Sequence, residues 1–229
     1  MIMQIEKNKL KEAAYDLRFL LNRSYRKKGA LKFVANKYVL NTDERNYLAR
    51  SIFSDSVAKG RQEKIIDISK IKDELLLVDG YNVLITVESM YNKDYDSIVL
   101  CDDGVIRDLN AVFGKYKLNN ATEMALNKII SLISSYGPSS VCFFFDSPVS
   151  FSGKLAGLTK NIMGEFDLQG SVVLSKTVDT EIIMLSMLKN GIAATADSVI
   201  IDKVDRFVDI PRYILELDKK IFKSQCKNL

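Results

Sequence analysis

The chain has 229 residues, 47% hydrophobic and 27% charged, a globular balance that excludes extended disorder. Its net charge of +4 is unevenly spread: residues 1–64 hold 15 Lys and Arg against 7 Asp and Glu, whereas residues 65–229 hold 18 against 22. There is no histidine, which excludes His-based triads, His-ligated zinc and imidazole proton relays.

Cys101, Cys142 and Cys226 are odd in number and far apart, and form neither a disulfide framework nor a zinc pattern. Cys142 reads as a small core residue. No apolar run approaches the ~20 residues of a membrane span, and the start, residues 1–11, is too polar for a secretory signal. The expectation is a soluble, reduced, cytoplasmic protein.

In chain order, Leu10, Ala13, Ala14, Leu17, Leu20 and Leu21 form a helical stripe over 7–21. Leu31, Val34, Ala35, Tyr38 and Val39 form a second. Asn41-Thr42-Asp43-Glu44 offers an N-cap for a third helix carrying Tyr47, Leu48 and Ile52. These three helices resemble a helix-turn-helix variant with a basic surface that includes Arg23, Arg26, Lys27 and Lys28. A polyanion partner and a merely solvated basic face fit the charge equally well, and phosphate contact is the most it implies. Residues 54–73 are polar and charge-rich, so the division expected is a basic helical domain over 1–60, a linker over 61–74 and a main domain over 75–229.

The main domain opens with Leu75-Leu76-Leu77-Val78-Asp79-Gly80, an apolar run ending in an acid. A parallel strand buried on both faces reads this way. Asp102-Asp103-Gly104 lies between short apolar runs and predicts a hairpin, followed by Arg107-Asp108. Asn120-Ala121-Thr122-Glu123 caps a helix through Ile133, which Gly137-Pro138 ends. Val141-Cys142-Phe143-Phe144-Phe145-Asp146 repeats the strand-into-aspartate design. A helix through Leu155 and Phe166, a brief strand at 171–174 and a helix opened by Asp179 follow. Ile192-Ala193-Ala194-Thr195-Ala196-Asp197 is a third strand-into-aspartate, and a last strand at 207–210 leads into a terminal helix. Strands alternating with helices predict an α/β fold with a central parallel sheet flanked by helices, behind a small all-α N-terminal domain.

Parallel strands finish at one edge of the sheet, which is where open α/β sheets bind ligands. Asp79, Asp146 and Asp197 at strand ends and Asp179 at a helix start would therefore converge. Like charges so placed raise one another's pKa, and a hard cation such as Mg²⁺ or Mn²⁺ offsets the repulsion with oxygen ligation. Any one of these aspartates alone is better explained as a turn or cap residue. Asn82 suits either a helix cap or a metal-bound water. Asp202 and Glu181 are expected to face solvent. Arg107 suits either a phosphate contact or a local ion pair in the hairpin.

Val78-Asp79-Gly80-Tyr81-Asn82-Val83, Phe145-Asp146, Val178-Asp179-Thr180-Glu181 and Thr195-Ala196-Asp197 resemble the acidic motifs of PIN-like nucleases, closest to the NYN branch. Residues 7–60 with 75–220 are similar to an uncharacterised prokaryotic family pairing a small helical domain with a PIN-like domain. The resemblance implies a Rossmann-like PIN fold and a metal-dependent endoribonuclease. Asp79, Asp146, Asp179 and Asp197 would be its Mg²⁺- or Mn²⁺-binding positions, and RNA, single strands included, its substrate. Many members carry a glutamate on an early helix, and its equivalent here is open among Glu88, Asp108 and Glu123. The alternative is a non-catalytic RNA- or DNA-binding protein with an inactive PIN-like domain. A haloacid-dehalogenase-type phosphatase is excluded because the second aspartate it needs is replaced by Tyr81 or Pro148. No nucleotide-binding glycine loop is present, so no nucleotide cofactor is expected.

Overall fold

A computed structural model describes residues 2–92, 97–109 and 116–225. Cys226, and residues 110–115 of the piece preceding Asn120, lie outside them. In chain order the elements are α1 (Ile2–Asn22), α2 (Lys27–Lys37), α3 (Thr42–Ser51), α4 (Asp55–Gln62), a 3₁₀ turn (Ile68–Ile71), β1 (Leu75–Asp79) and α5 (Gly80–Tyr91). β2 (Ile98–Leu100), β3 (Ile106–Asp108), α6 (Asn120–Ser135), β4 (Ser140–Asp146), α7 (Ser152–Glu165) and β5 (Gly170–Ser175) follow. The chain continues through α8 (Val178–Lys189), β6 (Ile192–Ala194), α9 (Ser198–Lys203), β7 (Phe207–Val208) and α10 (Ile210–Gln225). No helix among the described residues is long and apolar enough to cross a membrane.

The chain divides into two compact units, Met1–Glu63 with Val99–Leu109, and Lys64–Ile98 with Asn110–Leu229. In the first, the predicted stripes of α1 to α3 meet in a core of Ala13, Leu17, Val34, Ala35, Leu48 and Ile52. Asn41 caps α3 as expected: its side chain accepts from the Glu44 N–H, and the Glu44 carboxylate accepts from the Asn41 N–H. The hairpin forms at the predicted residues, with β2 and β3 paired and Gly104 in the left-handed region at φ 79°. It groups with this first unit rather than with the sheet.

Inside that unit Asp103 is fully buried. Arg107 forks onto it at 2.7 and 2.8 Å, and Arg61 donates to it at 2.9 Å. Burial alone would raise the Asp103 pKa, but the two guanidinium groups override it and hold the carboxylate below its usual range. Of the two sequence readings of Arg107, the local ion pair is therefore the one found. Its side chain is 7% exposed.

The stretch 61–74 is not a free linker. Ser54 caps α4, which runs to Gln62, and Ile68 and Ile71 are buried in the core of the second unit. Residues 64–66 run beside β7: the Ile66 N–H donates to the Phe207 carbonyl, and the Phe207 N–H to the Lys64 carbonyl. Four isoleucines within a charged run are what draw it onto the sheet.

The second unit is built on five strands in the order β5-β4-β1-β6-β7, all parallel. Numbered along the chain this is 3-2-1-4-5, a doubly wound order that reverses between β1 and β6. Leu76, Val78, Phe143 and Phe145 pack on one face with α5, α6, α7 and α10, while α8 lies against β1 and β4. Two details of the sequence reading shift. Asn119, not Asn120, caps α6. Cys142 is half-buried rather than fully enclosed and accepts a hydrogen bond from Ser171.

Candidate functional site

β1 carries Asp79 to the carboxyl edge of the central strand, beside the reversal of strand order. Its side chain is folded in rather than displayed, and the residue is 2% exposed. Gly80 makes this possible: a Cβ there would lie 2.3 Å from the Phe145 ring and 2.7 Å from the Phe144 carbonyl oxygen. α5 starts at once, yet the Asp79 side chain caps none of its N–H groups. Instead Oδ2 accepts two hydrogen bonds, from Asn82 Nδ2 at 2.6 Å and from Thr195 Oγ1 at 2.7 Å. Asn82 is therefore an orienting donor for the carboxylate, not a helix cap. Thr195 follows β6, so the carboxylate is held from both sides of the reversal.

Both donors are neutral, and they do not offset the loss of water. Burial, with the charges of Asp197 and Asp179 adding, pushes the Asp79 carboxyl up to about 7 against the pull of Thr195 and Asn82. Asp146 ends β4 as predicted, and burial raises its pKa as well. Asp179 stands in the first turn of α8 and is raised by burial, then by Asp197 and Asp146. The predicted carboxylates thus feel one another's charge at the sheet edge, although they come from four distant segments.

Asp197 departs from the sequence reading. β6 stops at Ala194, and Asp197 is the N-cap of α9, accepting from the Val199 N–H at 2.6 Å and the Ile200 N–H at 3.3 Å. The polar turn Thr195-Ala196-Asp197 reaches the same edge by a different route. Glu181, expected to face solvent, instead accepts a hydrogen bond from Ser175 at the end of β5, while Asp202 is exposed. Of the three candidates for an early-helix glutamate, only Glu88 is both on α5 and buried. It accepts from the Tyr116 hydroxyl at 2.5 Å, and burial raises its pKa. Asp108 belongs to β3 in the first unit, and Glu123 is exposed.

Sequence reasoning missed two groups here. Thr195 was part of a motif, but a threonine two residues before an aspartate carries no signal of which neighbour it will hold. The Tyr81 hydroxyl is buried without a hydrogen-bond partner among the described residues, its ring set edge-on against Tyr116 and Phe145.

The donor set is all oxygen and net negative, the chemistry a hard divalent cation selects. Among the described residues no group of three or more Asp, Glu or Cys side chains is close enough to hold a metal ion by itself. Mg²⁺ asks less of a protein than that: one or two carboxylates suffice when water and substrate phosphates complete the shell. Asp79, with neutral donors on one oxygen and two acidic neighbours, fits such a partial set.

The other predicted residues lie in the first unit. Arg23, Arg26 and Lys28 are exposed around the α1–α2 turn. Lys27 is half-buried with its ammonium 3.8 Å from the centre of the Phe53 ring. Burial, with Arg61 and Arg107 nearby, lowers its pKa to about 8.

Residues 68–213 match the model of a domain of unknown function, DUF5616. The chain belongs to the DUF5616 family. Residues 9–64 match a protein of unknown function, DUF434, a match that ends beside the break at Glu63, although the hairpin of the first unit lies inside the DUF5616 match. The chain is also 36% identical to an uncharacterised protein of Methanocaldococcus jannaschii, over 92% of its own length and 99% of the relative's. No solved structure matches it.

Proposed function

We propose that the chain is a metal-dependent endoribonuclease of the PIN-like, NYN-type kind, soluble and cytoplasmic, that hydrolyses phosphodiester bonds at the sheet edge bearing Asp79. The observation that carries this is the buried Asp79 carboxylate at the strand-order reversal, held by Asn82 and Thr195 with Asp179 and Asp197 beside it. So costly an arrangement of like charges at a sheet edge is typical of sites that meet a cation and a substrate.

Asp79, Asp146, Asp179 and Asp197 would hold Mg²⁺ or Mn²⁺. Bound there, the ion supplies charge neutralisation at the phosphate and lowers the pKa of water. The protein's own part is orientation. Asn82 and Thr195 fix Oδ2 of Asp79, and the Val199 and Ile200 N–H groups fix Asp197. Arg23, Arg26 and Lys28 supply salt-sensitive attraction for an RNA backbone.

The full chain incubated with Mn²⁺ and a labelled single-stranded RNA should cut it internally, and Asp79→Asn should abolish the cutting without loss of binding. A second reading, a nucleic-acid-binding protein without catalysis, is favoured by the absence of a three-carboxylate group among the described residues and by the use of Asp197 as a helix cap. Tight binding of RNA with no cleavage in Mg²⁺ or Mn²⁺ would establish it instead.

A further inference from the structure

The first unit carries apolar rings where a solvated basic face would have none. The outward side of α1 carries Lys11, Tyr15 and Phe19, spaced by four residues, with Glu12 at its margin and Arg23 just past its end. Tyr15 is 65% exposed and Phe19 47% exposed. The Arg23 guanidinium lies 4.5 Å from the centre of the Phe19 ring, so cation and ring form one flat surface.

Next to that face is a cavity of about 410 Å³. Its apolar lining comes from Leu10 and Ile52, its rings are Tyr15 and Tyr47, and its polar end is the Arg18–Asp102 pair. Arg18 uses Nε and Nη2 on Asp102, at 3.0 and 2.7 Å, so that among the described residues Nη1 is the nitrogen left to donate to a ligand. The volume lies within the range of small-molecule sites. Aromatic walls, an apolar floor and a directed N–H donor suit a flat heterocycle with an acceptor on its rim.

We propose that this cavity takes one unpaired base of a single-stranded nucleic acid, stacked against Tyr15 with its edge toward Arg18. The 15 basic against 7 acidic residues in 1–64 are compatible with a polyanionic ligand, and the exposed rings interleaved with cations, which a merely solvated face does not need, are how single strands are bound. A duplex is unsuitable, because its bases have no free face for the ring. The inference rests on the proposed RNA substrate but not on cleavage.

The test is fluorescence anisotropy of a labelled single-stranded RNA with the full chain in EDTA, so that no cutting occurs. Tyr15→Ala should weaken binding roughly tenfold, with the slope of log affinity against log salt unchanged, because no phosphate contact is lost. Tyr15→Phe should retain binding. Lys11→Ala should weaken it less and make that slope shallower by about one ion. Equal affinity of wild type and Tyr15→Ala would overturn the proposal, as would equal affinity for single strand and duplex. So would a change in oligomeric state on Tyr15→Ala with RNA binding intact, which would make the face a self-association surface. A separate cleavage assay in Mn²⁺ distinguishes the two readings: Tyr15-dependent binding without cleavage sinks only the nuclease, and cleavage with Tyr15-independent binding sinks only the base pocket.

Discussion

Asp79→Asn should stabilise the metal-free protein, and by more at pH 8 than at pH 5. Burial, with Asp197 and Asp179 adding, lifts the folded-state carboxyl from 3.8 to about 7. The folded state therefore keeps a proton that the unfolded state gives up between those values. The resulting stability is fully present below about pH 4 and is lost progressively as pH rises through about 7. At 1.36 kcal/mol per unit, the two units between pH 5 and the folded pKa correspond to about 3 kcal/mol. The substituted amide does not titrate, and its oxygen still accepts from Asn82 and Thr195, so this loss is absent in the variant. For a chain of this length the gap in Tm should widen by roughly 6–12 °C between pH 5 and pH 8. Scanning calorimetry in EDTA measures it directly. A gap that does not change with pH, or a less stable variant at pH 8, would refute the electrostatic account and make Asp79 a structural acceptor. Adding Mn²⁺ at pH 8 should close the gap by raising only the wild-type Tm, if the proposed function is right.

Two further outcomes check the packing within each unit. Tyr81→Phe removes a buried hydroxyl with no partner among the described residues and should raise stability by about 1 kcal/mol in urea unfolding; a fall would mean that the hydroxyl makes a hydrogen bond. Arg107→Ala leaves the fully buried Asp103 with Arg61 and the Val105 N–H and should destabilise the first unit by about 3–5 kcal/mol. In the wild type the depressed Asp103 pKa gives stability that is present above about pH 4 and lost in stronger acid, and Arg107→Ala should flatten that acid limb in circular dichroism titrations.

The parallel sheet was legible because β1 and β4 are buried on both faces and therefore carry unbroken apolar runs, each closed by an acid. Asp79 and Asp146 stand where those runs end. β6 deceived because Thr195-Ala196 continues a small-residue run past the last ladder bond. Burial persists there, with Ala196 only 6% exposed, while the strand does not. The linker deceived for the opposite reason. Charges dominate 61–74 in number, but Ile68 and Ile71 dominate in buried area, and the count hides them. The local reading of Arg107 was available because Asp103 lies four residues away in the same hairpin, but no local pattern told that Arg61 would also donate to Asp103, since it comes from α4, 42 positions away. Thr195 and Asp79 are 116 positions apart, and a contact at that separation leaves no periodic trace in one sequence.

Asp103 and Asp79 are both nearly devoid of exposure, and the chain treats them in opposite ways. Asp103 receives two arginines, so its charge is neutralised from within and its pKa falls. Asp79 receives a hydroxyl and an amide, which orient the carboxylate without neutralising it, and two more aspartates press on it. A protein able to bury a matched ion pair in one unit has no physical need to leave a carboxylate unmatched in the other. The unmatched one is where an external cation gains the most, because its binding removes both the desolvation penalty of Asp79 and the mutual repulsion of its neighbours. Coupling between Mn²⁺ affinity and the ionisation of a group near pH 7 is the signature to look for. Affinity should rise about tenfold per pH unit below that value and level off above it, whereas a site made only of exposed carboxylates would show no such dependence in this range.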